Sequence, residues 1–253
     1  MDLVGRVAEI WRYPVSSVGG ERINRAELSA VGMEGDRQYG LIDTETGTPA
    51  APERDHRWRK ALHLEARSAE GDLPAIFFPN GQSCGLGEPK LNRLLSDYFG
   101  FAAGIAAYAH TGRVDFLLTH YRHQHFPAHL LTKTSLRHLA MLGNVETVDS
   151  RRFRPTFLID LDTGNGFIEH EWIGRHLKLG STNLTAQEET KRCGMTFISQ
   201  PGVDEDPEVL RNILRHNKRN LGIYCSIEDP GTVQVGDEFF IEGAQRRVMH
   251  CPL

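Results

Sequence analysis

The chain has 253 residues, 40% hydrophobic and 25% charged, enough length to bury one large core or two small ones. Its formal net charge of −4 excludes a general attraction to nucleic acid or anionic membrane, so an anionic ligand must be caught by local cations. No run of about 18 apolar residues predicts a transmembrane helix, and MDLVGRVAEIWRYPV lacks the pattern of a signal peptide. A cytoplasmic, reducing setting is expected, in which the four cysteines are free thiols.

The first hundred residues read as strands and loops. Residues 4–15 are strand-forming, and glycines at 19, 20, 32 and 35 mark turns. Residues 39–43 are a short apolar run, followed by a loop over GTPAAPE. Ile76, Phe77 and Phe78 predict a short strand closed by Pro79-Asn80-Gly81. In GEPKLNRLLSDYFG, Pro89 suits a first helical turn, Leu91, Leu94, Leu95 and Tyr98 share a face, and Gly100 ends the helix. In TKTSLRHLAMLG, Thr134 or Ser135 can cap, Leu136, Leu139 and Ala140 share a face, and Gly143 terminates. In DEDPEVLRNILRHN, Asp206 is the N-cap, and Leu210, Ile213 and Leu214 form the buried stripe. RFRPTFLIDL, RHLKLGSTNLTAQ, NLGIYCSIED and TVQVGDEFFIEG read as strands, with turns at Gly231 and Gly236. Strands without regular βα alternation predict an α+β, mainly β fold: a barrel or strongly curved sheet with helices outside. Residues 107–128 are the least regular stretch and the expected junction between two halves.

Cysteines at 84, 193, 225 and 251 give no CxxC pair, so neither a zinc ribbon nor a four-cysteine iron–sulfur site is expected. Cys193, in ETKRCGMTF, follows Lys191 and Arg192, cations of the kind that lower a thiol below about 8.5. The plain alternative is a packed thiol. Cys225 reads as core, Cys84 as part of a turn. Arg152 and Arg154, if extended, face one side about 7 Å apart and could fork an oxyanion; solvated arginines on a strand edge are the plain alternative. Residues 132–135 open a helix whose N–H groups and hydroxyls suit an anion, with ordinary capping as the alternative. His120, His123, His125 and His129 match no zinc spacing and read as a solvated loop. No Walker loop, dinucleotide fingerprint, GxSxG or HExxH is present.

Several stretches together resemble one family. They are IWRYPVSSVGGE and VGMEGDRQYGLID near the start, TSLRHL, RRFRPTFLID and EHEWIGRHLKLG in the middle, then KRCGMTF and LGIYCSIEDPGTVQVGDEF. The chain resembles the MOSC family, the molybdenum-cofactor sulfurase C-terminal domain, in the longer form with an N-terminal β-barrel module. The resemblance runs in order over nearly the whole chain. It implies a module over residues 1–110, a MOSC domain over 111–253, and a molybdenum–molybdopterin cofactor, with pyridoxal phosphate not expected. In reductase members, similar to the mitochondrial amidoxime-reducing component, the cysteine of the RC motif is the protein ligand to molybdenum. That residue is Cys193 here, which makes it the expected metal ligand and catalytic residue. The matching candidates for cofactor binding are Arg12, Ser16, Arg37, Thr134, Ser135, Arg152, Arg154, Thr156 and Arg192. Ser16 stands where the family's YPVKS has lysine, and Thr156 follows RFRP where asparagine is common.

The resemblance implies an oxidoreductase that reduces N-hydroxylated or N- or S-oxygenated small molecules. Electrons would come from a separate haem, flavin or iron–sulfur protein, with no nucleic acid or membrane partner. Asp160 is a candidate proton carrier, an ordinary strand-end aspartate its alternative. Two other functions stay open: a sulfur carrier holding a persulfide on Cys193, and a non-catalytic cofactor-binding module.

Overall fold

The computed structural model describes residues 1–68, 73–122, 124 and 126–243. The readings for His123, His125 and Cys251 lie outside the described residues. The strand Asp2–Arg12 buries Gly5, Val7 and Ile10. The step from 7 to 10 breaks the period of two because a bulge lies between Val7 and Glu9, opposite the strand Phe157–Leu161. Gly5 is required there. A Cβ at this position would stand 2.2 Å from the Asp160 carbonyl oxygen, so any side chain would push the two strands apart.

Asp2–Arg12 closes a ring. It pairs antiparallel with Phe157–Leu161 on one side and Glu238–Ile241 on the other. From Phe157–Leu161 the circuit runs through Ala128–Thr132, Asn220–Asp229, Thr182–Lys191 and His176–Leu179 to Glu238–Ile241. Seven strands therefore form a closed barrel, which removes the open edges of a sheet. Leu130, Phe157, Ile159, Leu184, Ile223 and Phe239 help fill its interior. The mainly β expectation, with helices outside, is met. Ala128–Thr132 and Phe157–Leu161 run parallel, an arrangement that needs a crossover. The helix Lys133–Gly143, between them in sequence, supplies it.

A second core, built from residues 15–107, packs Trp58, Tyr39, Leu41, Leu91, Leu95 and Ile105. Trp58 meets the rings of Phe99 and Phe101 edge-on at 4.8 and 4.7 Å. Its strands Val15–Ser16, Tyr39–Asp43, Ala103–Tyr108 and Leu117–Thr119 make one sheet. The strand Leu117–Thr119 lies within the stretch expected to join two halves. Gly231–Gln234 pairs antiparallel with Arg25–Ser29, and Val233, Ala26 and Leu28 from this pair belong to the barrel core.

Helix α1, Leu91–Phe99, ends at Gly100 in the left-handed conformation, as its sequence predicts. Helix α2, Lys133–Gly143, is capped two or three residues earlier than the sequence suggests. Thr132 is the N-cap, its hydroxyl oxygen accepting from the Ser135 amide, and Asn144 rather than Gly143 takes the left-handed C-cap. Helix α3, Pro207–Asn217, is capped by Asp206. Its buried face is Val209, Asn212 and Ile213, whereas Leu214 is exposed. The stripe is shifted by one position because α2 and α3 share a small apolar cluster with Leu131, Leu158 and Leu221 on the barrel. Cys225 lies inside the barrel, where burial pushes its thiol up to about 12. Cys84 is buried in the strand Ser83–Gly85 and its thiol is likewise raised by burial.

Candidate functional site

The long strand Thr182–Lys191 ends where the chain turns into a short 3₁₀ helix, Gly194–Phe197. Arg192 and Cys193 occupy that turn and point different ways. Arg192 is buried and its donors are used within the chain. Nε and Nη2 donate to the Leu221 carbonyl at 2.8 and 2.5 Å, Nη1 donates to the Phe153 carbonyl at 3.1 Å, and Nη2 also meets His129 Nε2 at 2.5 Å. Burial lowers its pKa to about 10. Cys193 is half-buried and lines a cavity of about 980 Å³. Its carbonyl accepts from the Thr196 amide and hydroxyl at 3.1 and 3.0 Å, which fixes the turn through the backbone. Gly194 brings the turn close to Glu53: a Cβ at 194 would stand 3.2 Å from the Cβ of Glu53.

The arginines of RRFRP are not on a strand. Residues Ser150–Phe153 form a 3₁₀ turn and Arg154 follows in the left-handed region at φ 52°. The extended pairing expected for Arg152 and Arg154 is therefore replaced by a tight turn, capped by Asp149 through the Arg151 amide. Both side chains still reach the same cavity. Arg152 donates to the Thr196 and Asp204 carbonyls at 3.3 and 2.6 Å, bracing the turn that carries Cys193. Arg154 donates from Nη1 to the Val18 carbonyl at 2.6 Å and lies 4.1 Å from the Tyr13 ring centroid. Its Nη2 is buried with no hydrogen-bond partner. Burial, with the nearby Arg37 charge, lowers its pKa to about 10. Arg37, also left-handed at φ 48°, pairs with Asp36 and donates to the Arg154 carbonyl at 3.1 Å.

Ser16, Arg37, Arg152, Arg154, Thr156, Arg192 and Cys193 thus line one cavity. Thr156 Oγ1 accepts from the His129 amide at 3.1 Å. Three other predicted residues are not in its lining. Arg12 pairs with Glu21 at 2.9 Å. Thr134 is buried and accepts from Arg137. Ser135 is buried and donates to Glu169 Oε2 at 2.5 Å. The oxygen-bearing group at the start of α2 is the chain's own Glu169 carboxyl, which also accepts from the Thr132 hydroxyl at 2.9 Å. Asp160 is half-exposed and paired with Lys133 at 2.9 Å, away from the cavity lining. His129 is in a buried barrel strand rather than a solvated loop. Its Nε2 accepts from Arg192, so Nδ1–H donates to the Arg154 carbonyl at 3.3 Å. Burial first, then the Arg192 charge, holds this ring neutral, well below the usual histidine pKa. No cluster of three or more His, Cys, Asp or Glu residues among the described residues could hold a metal ion.

Glu169 gives a stability prediction. Burial raises its carboxyl above the usual range, and Oε1 has no partner. A carboxyl raised in the folded state contributes stability below its unfolded pKa, and loses it as pH climbs through the folded value. Glu169→Gln keeps an oxygen for the Thr132 and Ser135 hydroxyls and does not titrate. Its melting temperature should match wild type near pH 4 and exceed it at pH 8. Thermal melts across that range check it; an equal or falling difference contradicts the buried-acid account.

The remaining wall was not evident from sequence. Glu53, from the stretch GTPAAPE expected as loop, lines the cavity with Glu188 and Glu189 as its acids, against Arg37, Arg122, Arg152, Arg154, Lys191, Arg192 and Arg219. The cavity is cationic inside an acidic chain. Tyr108 stacks on Tyr121 at 4.0 Å and Phe126 on Tyr224 at 4.5 Å, and all four rings line it. His170 Nδ1 lies 3.5 Å from Glu189 Oε1, and Glu189 also accepts from Asn220. No spacing signal in the sequence joins these residues, which come from separate loops and strand ends.

Comparison with known proteins agrees with this architecture. The model of the MOSC domain matches residues 110–239, and that of the MOSC N-terminal beta barrel domain matches residues 4–57. Among solved structures, the YuaD protein of Bacillus subtilis has a similar fold, with a TM-score of 0.52 at 12% identity, covering 94% of this chain and 96% of that one. YiiM of Escherichia coli covers 95% of this chain and 70% of its own at a TM-score of 0.41 and 8% identity. YiiM of Geobacillus stearothermophilus covers 46% and 54% at a TM-score of 0.36 and 8% identity. No curated protein matches the sequence. With its central model spanning residues 110–239 and its barrel module recognised beside it, the chain belongs to the MOSC domain family.

Proposed function

We propose that this protein is a molybdenum-cofactor-binding oxidoreductase that reduces N-hydroxylated or N- or S-oxygenated small molecules. The observation that carries the reading is the position of Cys193. Among the described cysteines, Cys84 and Cys225 are buried, while Cys193 is accessible and faces a cavity walled by arginines. The residues present fit the group. A soft thiolate suits a sulfur-rich molybdenum centre. The buried Arg154 Nη2, which lacks a partner, is a feature expected where an anion is missing from the surroundings.

In this reading Cys193 would ligate the metal, and Arg37, Arg152 and Arg154 would hold the pterin's phosphate, with Ser16 and Thr156 nearby. Arg192 would hold the site's shape, because its donors already serve Leu221, Phe153 and His129. When bound, the cofactor supplies two-electron redox exchange at its metal. For an N-hydroxylated substrate the overall change is R–NHOH plus two electrons and two protons giving R–NH2 plus water. His170 and Glu189 stand at the cavity wall as proton-exchanging groups. The electrons come from a separate haem, flavin or iron–sulfur protein, in a cytoplasmic setting. No helix among the described residues is long and apolar enough to cross a membrane.

A second reading, a persulfide carrier on Cys193, draws on the same accessible thiol beside cations. Benzamidoxime and reduced methyl viologen, given to the chain purified from molybdate-supplemented cells, separate the two. Benzamidine formation supports the reductase. Fully metallated protein that forms none contradicts it, and sulfane sulfur bound without metal supports the carrier.

A further inference from the structure

Tyr13 does not line the Cys193 cavity, yet two of that cavity's arginines rest against it. Its ring is buried, and the guanidinium carbons of Arg154 and Arg37 lie 4.1 and 5.0 Å from the ring centroid. Both distances fall inside the range over which a π face attracts a cation. The two cations are compensated differently. Arg37 is ion-paired with Asp36. Among the described residues Arg154 has no carboxylate at ion-pair distance; Nη1 meets the Val18 carbonyl at 2.6 Å and Nη2 meets nothing. A buried guanidinium without an acid is costly, and the neighbouring Arg37 adds repulsion. The electron-rich face of Tyr13 is the compensation the fold supplies. A carboxylate in its place would cancel the charge an anion needs, whereas an aromatic face steadies the cation and leaves it unneutralised. The backbone agrees: Arg37 and Arg154 both sit in the left-handed region, uncommon for arginine and typical of side chains held to a task. The ring itself is fixed, since a Cβ on Gly20 would stand 2.7 Å from its Cε1. Its hydroxyl is buried with no hydrogen-bond partner, so the face and not the phenol oxygen is in use.

We propose that Tyr13 is the positioning residue of an anion site in this cavity, its ring face holding the Arg154 and Arg37 guanidiniums together and unneutralised for a phosphate-type oxyanion. This rests on the reductase reading for which oxyanion it is, the pterin's phosphate. Tyr13 touches no ligand and acts through the two arginines. Ordinary core packing is the rival role. The main chain at position 13 is also engaged: its amide donates to Asp36 Oδ1 at 2.7 Å, and its carbonyl accepts from the Arg37 amide at 2.8 Å. Those bonds are open to any residue at position 13, so a substitution there reads the side chain.

The test is calorimetric and does not depend on turnover. Inorganic phosphate is titrated into the full-length chain from a host that makes no pterin cofactor. The samples are wild type, Arg154→Met, Tyr13→Phe, Tyr13→Leu and a chain with trifluorophenylalanine in place of Tyr13. Fluorination keeps the shape of the ring and drains its face of negative charge, a change that packing alone does not register. Arg154→Met should weaken phosphate binding at least about tenfold. Tyr13→Phe should bind within about twofold of wild type, the trifluorinated ring at least about threefold more weakly than Tyr13→Phe, and Tyr13→Leu roughly tenfold more weakly than wild type. A wild type that binds no phosphate, binding that survives Arg154→Met, or a trifluorinated ring that binds as tightly as Tyr13→Phe overturns the proposal. A Tyr13→Phe variant as weak as Tyr13→Leu assigns the effect to the hydroxyl and also overturns it. Should Tyr13→Leu fail to fold, the nearly isosteric fluorinated ring decides. Pterin and molybdenum are then measured on the same chains from molybdate-supplemented cells. Stoichiometric cofactor with a flat phosphate series sinks this proposal alone. The expected phosphate series in a chain that never takes up pterin or molybdenum sinks the reductase reading alone.

Discussion

Cys193→Ser should fold like the wild type and lose at least about 100-fold in kcat/KM for benzamidoxime reduction, together with its molybdenum. The fold should survive because the turn is held by backbone atoms: the 193 carbonyl accepts from Thr196, and Arg152 ties that segment to Asp204. The side chain is only half-buried, and serine removes little packing. The chemistry should not survive, because a hydroxyl is a hard donor and a sulfur-rich molybdenum site calls for a soft one. Removing a residue that merely supports a metal ligand costs about 10–100-fold, so removing the ligand itself sits at or beyond the upper end. Melting temperature, metal content and kinetics on one preparation check this. A serine variant that keeps metal and turnover would remove Cys193 from the site.

The second large effect is structural. Arg192→Met should destabilise the protein by roughly 3–5 kcal/mol, the range for breaking a buried charge network. The methionine keeps most of the aliphatic stem, so the loss is chiefly of hydrogen bonds. It strands the Leu221 and Phe153 carbonyls and leaves His129 Nε2 without its donor. At about 2–4 °C per kcal/mol for a chain of this size, the melting temperature should drop by roughly 10 °C. Arg192→Lys should recover only part, because an ammonium cannot reach three acceptors in a fork. Thermal melts of both variants decide it; a methionine variant within about 2 °C of wild type would mean these bonds are not a network.

Arg192 also shows where sequence reading stops. A cation beside a cysteine invites the inference that it tunes the thiol or holds a phosphate. The hydrogen bonds instead run inward, to carbonyls and a histidine that lie about thirty to sixty positions away in the chain. Such pairings depend on barrel closure, and no local period encodes them. The barrel itself was legible as strands, because alternation and turn glycines are local signals, as in the hairpin His176–Leu179 and Thr182–Lys191 around Gly180. The ring order was not legible, since Asp2–Arg12 pairs with strands more than a hundred residues later. The RRFRP turn was misread as extended because its 3₁₀ geometry and the left-handed Arg154 follow from the Asp149 cap, not from strand propensity. The helix start at Thr132 drew attention as an anion site. Glu169 occupies it, a carboxyl group whose approach from a 3₁₀ turn could not be read from its neighbours. Glu53 was hidden for the opposite reason. It sits in a proline-rich stretch without pattern, and its place beside Gly194 appears only once both loops are folded.

The most direct test of the central claim is to quantify molybdenum and pterin in the chain purified from molybdate-supplemented cells, beside Cys193→Ser. The account predicts about one molybdenum and one pterin per wild-type chain, with the metal lost from the serine variant. Wild-type protein without either, or a serine variant that holds as much metal as wild type, would contradict it.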